Sequence, residues 1–276
     1  MEIIEVLDRF FNQATFLNWV TLIGYMVIVF YAANWLSDTS NKVLNSVGAY
    51  KPNGIKAYIG VPIHEFGHWI FAKLFRFKVT DARFFPTKPT DNGNGRITLG
   101  YVSYSVSSNT NILIRAFGLM LVSVGPIFSG SFVIIVLGKL LCNDMVMAFY
   151  RFIQGSFQAE ASALGYIAEN FGKLLSLFKN ELSIRYIVFM ILAVIIADFM
   201  TLSGPDLKNF YKGVLILTVA VLVASFVPVL SDKLGWLLGV CVSFITFFGV
   251  LSLIGQIINL GYSFVYRIVK RNIGGR

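Results

Sequence analysis

Ala57-Tyr58-Ile59-Gly60-Val61-Pro62-Ile63-His64-Glu65-Phe66-Gly67-His68-Trp69-Ile70-Phe71-Ala72-Lys73-Leu74-Phe75 holds both histidines of the chain inside an otherwise apolar run. On a helix, residues four apart share a face, so His64 and His68 can grip one metal ion. Glu65 follows the first imidazole and stands where a zincin keeps the general base for its attacking water. The plainer alternative is a pair of helix-packing histidines beside a chance glutamate. Location weighs against it, because ionisable groups at membrane depth are costly and are functional by default.

The rest of the composition points to the same setting. The chain is 56% hydrophobic and 13% charged, with 26 phenylalanines in 276 residues, whereas an ordinary soluble domain is about 25% charged. A net charge of +9 could speak for nucleic acid, but no basic cluster with interleaved aromatics occurs. The cations instead punctuate the ends of apolar segments, as cytoplasmic anchors do. Cys142 and Cys241 are far apart with no metal-type spacing, and read as small packing residues. Met1 to Phe16 carries Glu2, Glu5 and Asp8 where a signal peptide would be basic. Ile3, Ile4, Leu7, Phe10 and Phe11 recur at helical spacing there, which suggests an amphipathic helix on the membrane surface.

Six apolar segments follow, at about Leu17–Trp35, Ala57–Phe75, Ile112–Leu137, Ile184–Leu202, Val214–Leu230 and Leu234–Val265. Ser37–Lys56 reads as a polar connection. Between the second and third segments, Val79–Phe85 and Arg96–Val106 are β-rich around a Pro/Asp/Asn/Gly run, Pro86–Gly95, which predicts a small β-hairpin. Gly125-Pro126 predicts a kink in the third span. Lys139–Leu182 is mixed, and Glu160 and Glu169 argue for surface helices there rather than a span. Arg267, Lys270, Arg271 and Arg276 read as a solvated basic tail. The expected fold is therefore an all-α polytopic membrane protein. It has about six transmembrane helices, a small β-hairpin between spans 2 and 3, and one domain over residues 1–276. The cations of the hairpin region, the Pro205 region and the tail fall on one side, so the positive-inside rule places both termini in the cytoplasm.

A catalytic zinc usually takes three protein ligands, and with no third histidine a carboxylate must complete the set. Ala197-Asp198-Phe199-Met200-Thr201-Leu202-Ser203-Gly204-Pro205-Asp206-Leu207 offers two. Gly204-Pro205 should break the helix, and broken helices at membrane depth line buried or wet cavities. Taken alone, Gly-Pro-Asp would make Asp206 a helix N-cap at the membrane edge. Beside the histidine pair, it becomes the candidate third ligand.

The order of these features resembles the site-2 protease family of intramembrane zinc metalloproteases. An HExxH lies in an early span, followed by a β-rich loop, a span with Gly-Pro, and a later span broken before an aspartate. Family members carry an Asn-x-x-Pro stretch ending in Leu-Asp-Gly, with the asparagine eight residues before the ligand aspartate. Asp198 stands eight residues before Asp206, but it replaces the asparagine, Leu207 replaces the glycine, and the proline is displaced to Pro205. The likeness covers about Ala57 to Leu230, leaving the first and last spans as extras. It implies His64, His68 and Asp206 as ligands of Zn2+, Glu65 as catalytic base, and a membrane-protein substrate. For Asp198 it leaves three roles open: substrate contact, outer partner of a ligand, or the true third ligand.

Depth gives a separate check. At about 1.5 Å per residue, His68 lies roughly 7–8 Å along the axis from Lys73, and Asp206 is two residues before Lys208. Both halves of the site thus converge on the cytoplasmic half of the bilayer. The hairpin could add a substrate strand along its edge or simply cover the bundle. Two other classes fit less well. A membrane zinc peptidase of another chamber type would need Glu160 or Glu169 as ligand. A non-catalytic metal-binding or transport protein would want more charges along a path and no Glu65.

Overall fold

The computed structural model describes residues 14–45, 54–86, 90–91, 97–144, 183–225 and 228–274, with isolated positions between 146 and 172. Among them are six long helices and four short strands. In chain order these are α1 (Ala14–Asn45), α2 (Gly54–Leu74), β1 (Lys78–Arg83), β2 (Thr90–Asp91), β3 (Ile97–Thr98), β4 (Tyr101–Ser105), α3 (Ile112–Leu141), α4 (Ile184–Asp198), α5 (Gly204–Ser225) and α6 (Pro228–Gly274). The expected surface helix before Phe16, most of Pro86–Gly95 and most of Lys139–Leu182 lie outside the described residues.

The third helix is the hub, because each buried cluster contains a residue from it. Ile134 packs with Phe189, Ala193 and Ile196 of α4 and with Phe248 and Leu251 of α6. Met120 packs with Phe210 and Val214 of α5. Val122 packs with Ala72 of α2 and with Phe77. The first helix lies mainly against α6 and reaches the Met120 cluster through Ile23. Gly67 of α2 and Gly125 of α3 meet backbone to backbone, so that a Cβ on either would collide with the other's carbonyl. That approach brings the HExxH helix against α3.

Leu74 ends α2 for a local reason. Phe77 N–H reaches the Ala72 carbonyl at 2.8 Å and Arg76 N–H reaches that of Lys73 at 2.9 Å, the paired bonds of a Schellman ending. Arg76 takes the left-handed conformation usually left to glycine, with φ 56. Phe77, packed near Ala72, supplies the apolar contact such endings favour, and the chain turns straight into β1. There the expected hairpin is found. Lys78–Arg83 pairs antiparallel with Tyr101–Ser105, with an irregularity between Val79 and Asp81, and Thr90–Asp91 pairs with Ile97–Thr98 further out.

Span boundaries depart from expectation in an informative way. Among the described residues, two helices are long and apolar enough to cross a membrane, Ile112–Leu141 and the Thr246–Asn272 part of α6, fewer than the six expected. The fourth helix has 15 residues, about 22 Å of rise against a hydrocarbon core of about 30 Å. It stops at Asp198, short of the end of the apolar segment at Leu202, while α5 starts at Gly204 and so puts Asp206 in its first turn, in line with the expected Gly-Pro break. The break therefore lies within the bundle. The supposed polar connection after Trp35 is helical as far as Asn45, and the supposed basic tail is the last part of α6 up to Gly274. Outward, α3 presents Phe128, Phe132, Val136 and Leu140, four residues apart and 40% to 74% exposed. An apolar stripe of this kind is unusual on a soluble monomer and ordinary against lipid.

Candidate metal centre

Helical geometry at about 100° per residue puts Gly60, His64, Gly67 and His68 on one side of α2. The two glycines let other elements come close, and those elements supply acceptors for the imidazoles. Pro126 has no N–H, so the carbonyl four residues earlier, that of Val122, has no partner from the proline in α3. His68 Nδ1 donates to this carbonyl at 2.8 Å. The Phe199 carbonyl lies just past the end of α4 and accepts from His64 Nδ1 at 2.5 Å. A Cβ at Gly60 would enter the Phe199 ring, so the bare backbone there seats the residue whose carbonyl holds the histidine.

These two bonds fix the chemistry of the opposite ring nitrogens. A carbonyl only accepts, so both Nδ1 atoms carry their proton, and in a neutral imidazole Nε2 is then a lone pair. The two Nε2 atoms face each other at 3.1 Å. Two lone pairs at that distance repel unless an electrophile lies between them. Asp206 supplies the third donor, with Oδ2 3.6 Å from His68 Nε2. All three ligand atoms lie within 4.8 Å of one another. Tetrahedral bonds of about 2.0–2.1 Å would place donors roughly 3.3 Å apart. The donor set thus fits a borderline-soft divalent ion such as zinc, with a small inward movement of Asp206.

Asp206 is held in this position by the start of its own helix. Ser203 precedes α5, and its hydroxyl and its N–H both donate to Asp206 Oδ2, the latter at 3.2 Å, while Asp206 N–H reaches Ser203 Oγ at 3.4 Å. This is a reciprocal capping box. Asp206 is therefore not the cap itself but its partner three residues in, with a buried carboxylate. Pro205 falls in the first turn, where its missing N–H costs nothing.

Glu65 is buried on the adjoining side of α2 at 7% exposure. Gly100, one residue before β4, sits directly over it. A Cβ at Gly100 would meet Glu65 Cγ at 2.8 Å and the Arg83 carbonyl at 2.9 Å. Further along β4, burial and then the negative charge of Asp206 push the Tyr104 hydroxyl up to about 12. The hairpin therefore stands over the same centre. A separate cleft of about 610 Å³, lined by Pro62, Phe66, Trp69, Phe85 and Phe132 among others, opens on the face of α2 turned away from the imidazoles.

Asp198 lies elsewhere. Its carboxylate accepts from Gln256 Nε2 at 2.7 Å and Asn259 Nδ2 at 2.6 Å, and among the described residues the group able to hold a metal is His64, His68 and Asp206. Glu169 is exposed, and Glu160 is outside the described residues. The sequence reading missed the Val122 and Phe199 carbonyls. Pro126, four residues after Val122, was the available signal for the first. Compared with known proteins, the chain matches no family model, no curated protein and no solved structure.

Proposed function

We propose that this chain is an intramembrane zinc metalloendopeptidase of the site-2 protease kind, cutting peptide bonds in or near transmembrane segments of membrane proteins. The observation that carries the reading is the pair of Nε2 lone pairs facing each other at 3.1 Å, with both Nδ1 protons committed to carbonyls and a buried carboxylate closing the third side. An arrangement that repels itself without a cation, beside a buried glutamate on the same helix, suits a hydrolytic metal centre better than a packing pair.

His64, His68 and Asp206 would hold the ion. Zinc bound there would supply a water of lowered pKa and polarise a carbonyl. Glu65 takes the proton from the attacking water and returns it to the leaving amine. The Val122 and Phe199 carbonyls keep both rings in one tautomer and orientation, which also raises ligand basicity. A peptide bond in a regular helix is hydrogen-bonded and shielded, so segments containing Gly, Pro or Asn near the cut should be preferred.

The membrane topology belongs to the same reading. All six helices pass through the bilayer or its protein-lined interior, with both termini and the hairpin on the cytoplasmic side. The apolar stripe on α3 and the exposed Ile257, Ile258, Phe264 and Val265 on α6 support lipid contact. Thiol labelling of Ser107→Cys and of a cysteine added at the C-terminus should report one common face; opposite faces would break this topology.

The decisive test is Glu65→Gln in the purified full-length protein. It should keep stoichiometric zinc by elemental analysis and lose peptide hydrolysis. Loss of zinc, or retained turnover, overturns the role given to Glu65.

A further inference from the structure

On the Nδ1 side of His64, three helices meet in a polar cluster in which Gln256 is buried and Lys56, Asp198 and Asn259 are half-buried. Gln256 of α6 is 1% exposed and donates through Nε2 twice to Asp198, to the main-chain carbonyl at 2.9 Å and to Oδ1 at 2.7 Å. Asn259, one turn along, donates to Asp198 Oδ2 at 2.6 Å. The other end of the Asn259 amide accepts from Lys56 of α2 at 3.1 Å. Gly255 lets α6 come this close to α4, since a Cβ there would meet the Val194 carbonyl at 3.1 Å.

Such a network is expensive in an apolar surround, the more so because the buried Gln256 Oε1 has no hydrogen-bond partner among the described residues. What it holds is the last residue of α4, one position before Phe199. Asp198 is gripped at main chain and side chain together, so the peptide that follows has little freedom. The next peptide along carries the carbonyl that accepts from His64 Nδ1 at 2.5 Å, and the Met200 N–H of that peptide donates to the Ala197 carbonyl at 3.1 Å. With Phe199 N–H donating to the Ile196 carbonyl, also at 3.1 Å, this closes a single turn that continues α4 beyond Asp198, and the grip on Asp198 fixes the start of that turn.

We propose that Gln256 and Asn259 are positioning residues for the metal centre. Acting through Asp198 and the turn that follows it, they hold the Phe199 carbonyl against His64, which makes the last helix part of the frame around the metal centre. The inference rests on the zinc reading above. Asp198 then serves as the anchor of an outer partner rather than as a ligand, and its charge matters less than its two-sided grip.

Cobalt(II) titration of the detergent-purified full chain tests this, reading both affinity and the visible absorption of the bound ion. Gln256→Met keeps the size and removes both bonds to Asp198. It should weaken cobalt binding about tenfold, the lower end of what outer partners of ligands command, and alter the absorption band, with helical content unchanged. The double variant Asp198→Asn, Asn259→Asp exchanges donor and acceptor across one contact, keeps the Gln256 bonds and the Lys56 contact, and conserves total charge. It should bind cobalt like the wild type, an outcome that a ligand role for Asp198 forbids.

Unchanged affinity and spectrum in Gln256→Met, or loss of binding in a folded double variant, overturns the positioning role while leaving the zinc reading intact. A wild-type protein that takes up no cobalt overturns both. If Gln256→Met does not fold, Asn259→Leu carries the same test, because it removes the second donor to Asp198 at a less buried position.

Discussion

The two histidines are held by the same kind of bond, yet the two bonds have very different origins. His68 leans on Val122 in the middle of a helix, where a single residue, Pro126, removes the competing N–H. His64 leans on Phe199 past the end of a helix, where the carbonyl stays in place through side chains from α2 and α6. One acceptor is written locally in four residues. The other depends on contacts between residues 58, 61 and 203 positions apart. Local devices tolerate change elsewhere in the protein, whereas assembled ones fail when any contributor fails.

The largest effect should come from the ligands themselves, which both bonds exist to serve. Asp206→Ala should purify with far less zinc than Asp198→Ala, because losing a ligand costs more than the 10–100-fold typical of an outer partner. Elemental analysis of the two variants side by side gives the ranking, and the reverse order would move the third ligand to Asp198.

Next comes the local device. Pro126→Ala restores an N–H to compete for the Val122 carbonyl, so zinc affinity should fall roughly 10–100-fold. Thermal stability should not fall with it, since a proline inside a helix costs about 3 kcal/mol. A chelator competition assay and a melting curve on the same sample separate the two quantities. A variant that loses stability and affinity together would show that Pro126 acts through helix shape instead.

The glycines give a smaller and graded contrast. Gly67→Ala drives a methyl into the Gly125 backbone, which cannot turn aside, whereas Gly60→Ala meets the Phe199 ring, which can. Gly67→Ala should therefore lower the melting temperature more than Gly60→Ala, and the latter should act chiefly on zinc affinity through His64. Smallest in its effect on the metal is Gly100→Ala. Its methyl presses on Glu65 Cγ at 2.8 Å, so kcat should fall about tenfold for a slightly misplaced base while zinc content stays full.

Much of this centre could be read from the chain because its signals are short. The His64, Glu65 and His68 spacing needs one turn of helix, and Asp206 announced itself by a Gly-Pro break in an apolar run. The small hairpin followed from β-rich segments around turn residues. In the sequence, Gly125-Pro126 signals a kink; the close approach to Gly67 and the freed Val122 carbonyl, within a helix running from Ile112 to Leu141, need the partner helix to be seen. The end of α4 falls short of the apolar segment because apolar composition continues to Leu202, whereas the helix closes with one last turn at Phe199 and Met200. Hydropathy sees the solvent, not the hydrogen bonds. Lys56, Gln256 and Asn259 carried no signal at all, since a polar residue near the end of an apolar segment looks like an interfacial anchor until its partners are seen.

On the proposed reading, the backbone contact between Gly67 and Gly125 would also decide where a substrate cannot enter. Two main chains in contact, stitched further along by Ser129 Oγ donating to the Ile63 carbonyl at 2.7 Å, form a seam with no side chains to swing aside. Prising α2 from α3 would tear the Val122 acceptor from His68 in the same movement, so opening that wall would dismantle the centre it was meant to expose. On that reading, a substrate would instead come past the opposite wall, beneath Gly100. Moving the hairpin aside there would leave both imidazoles, their carbonyl acceptors and the capped Asp206 in place.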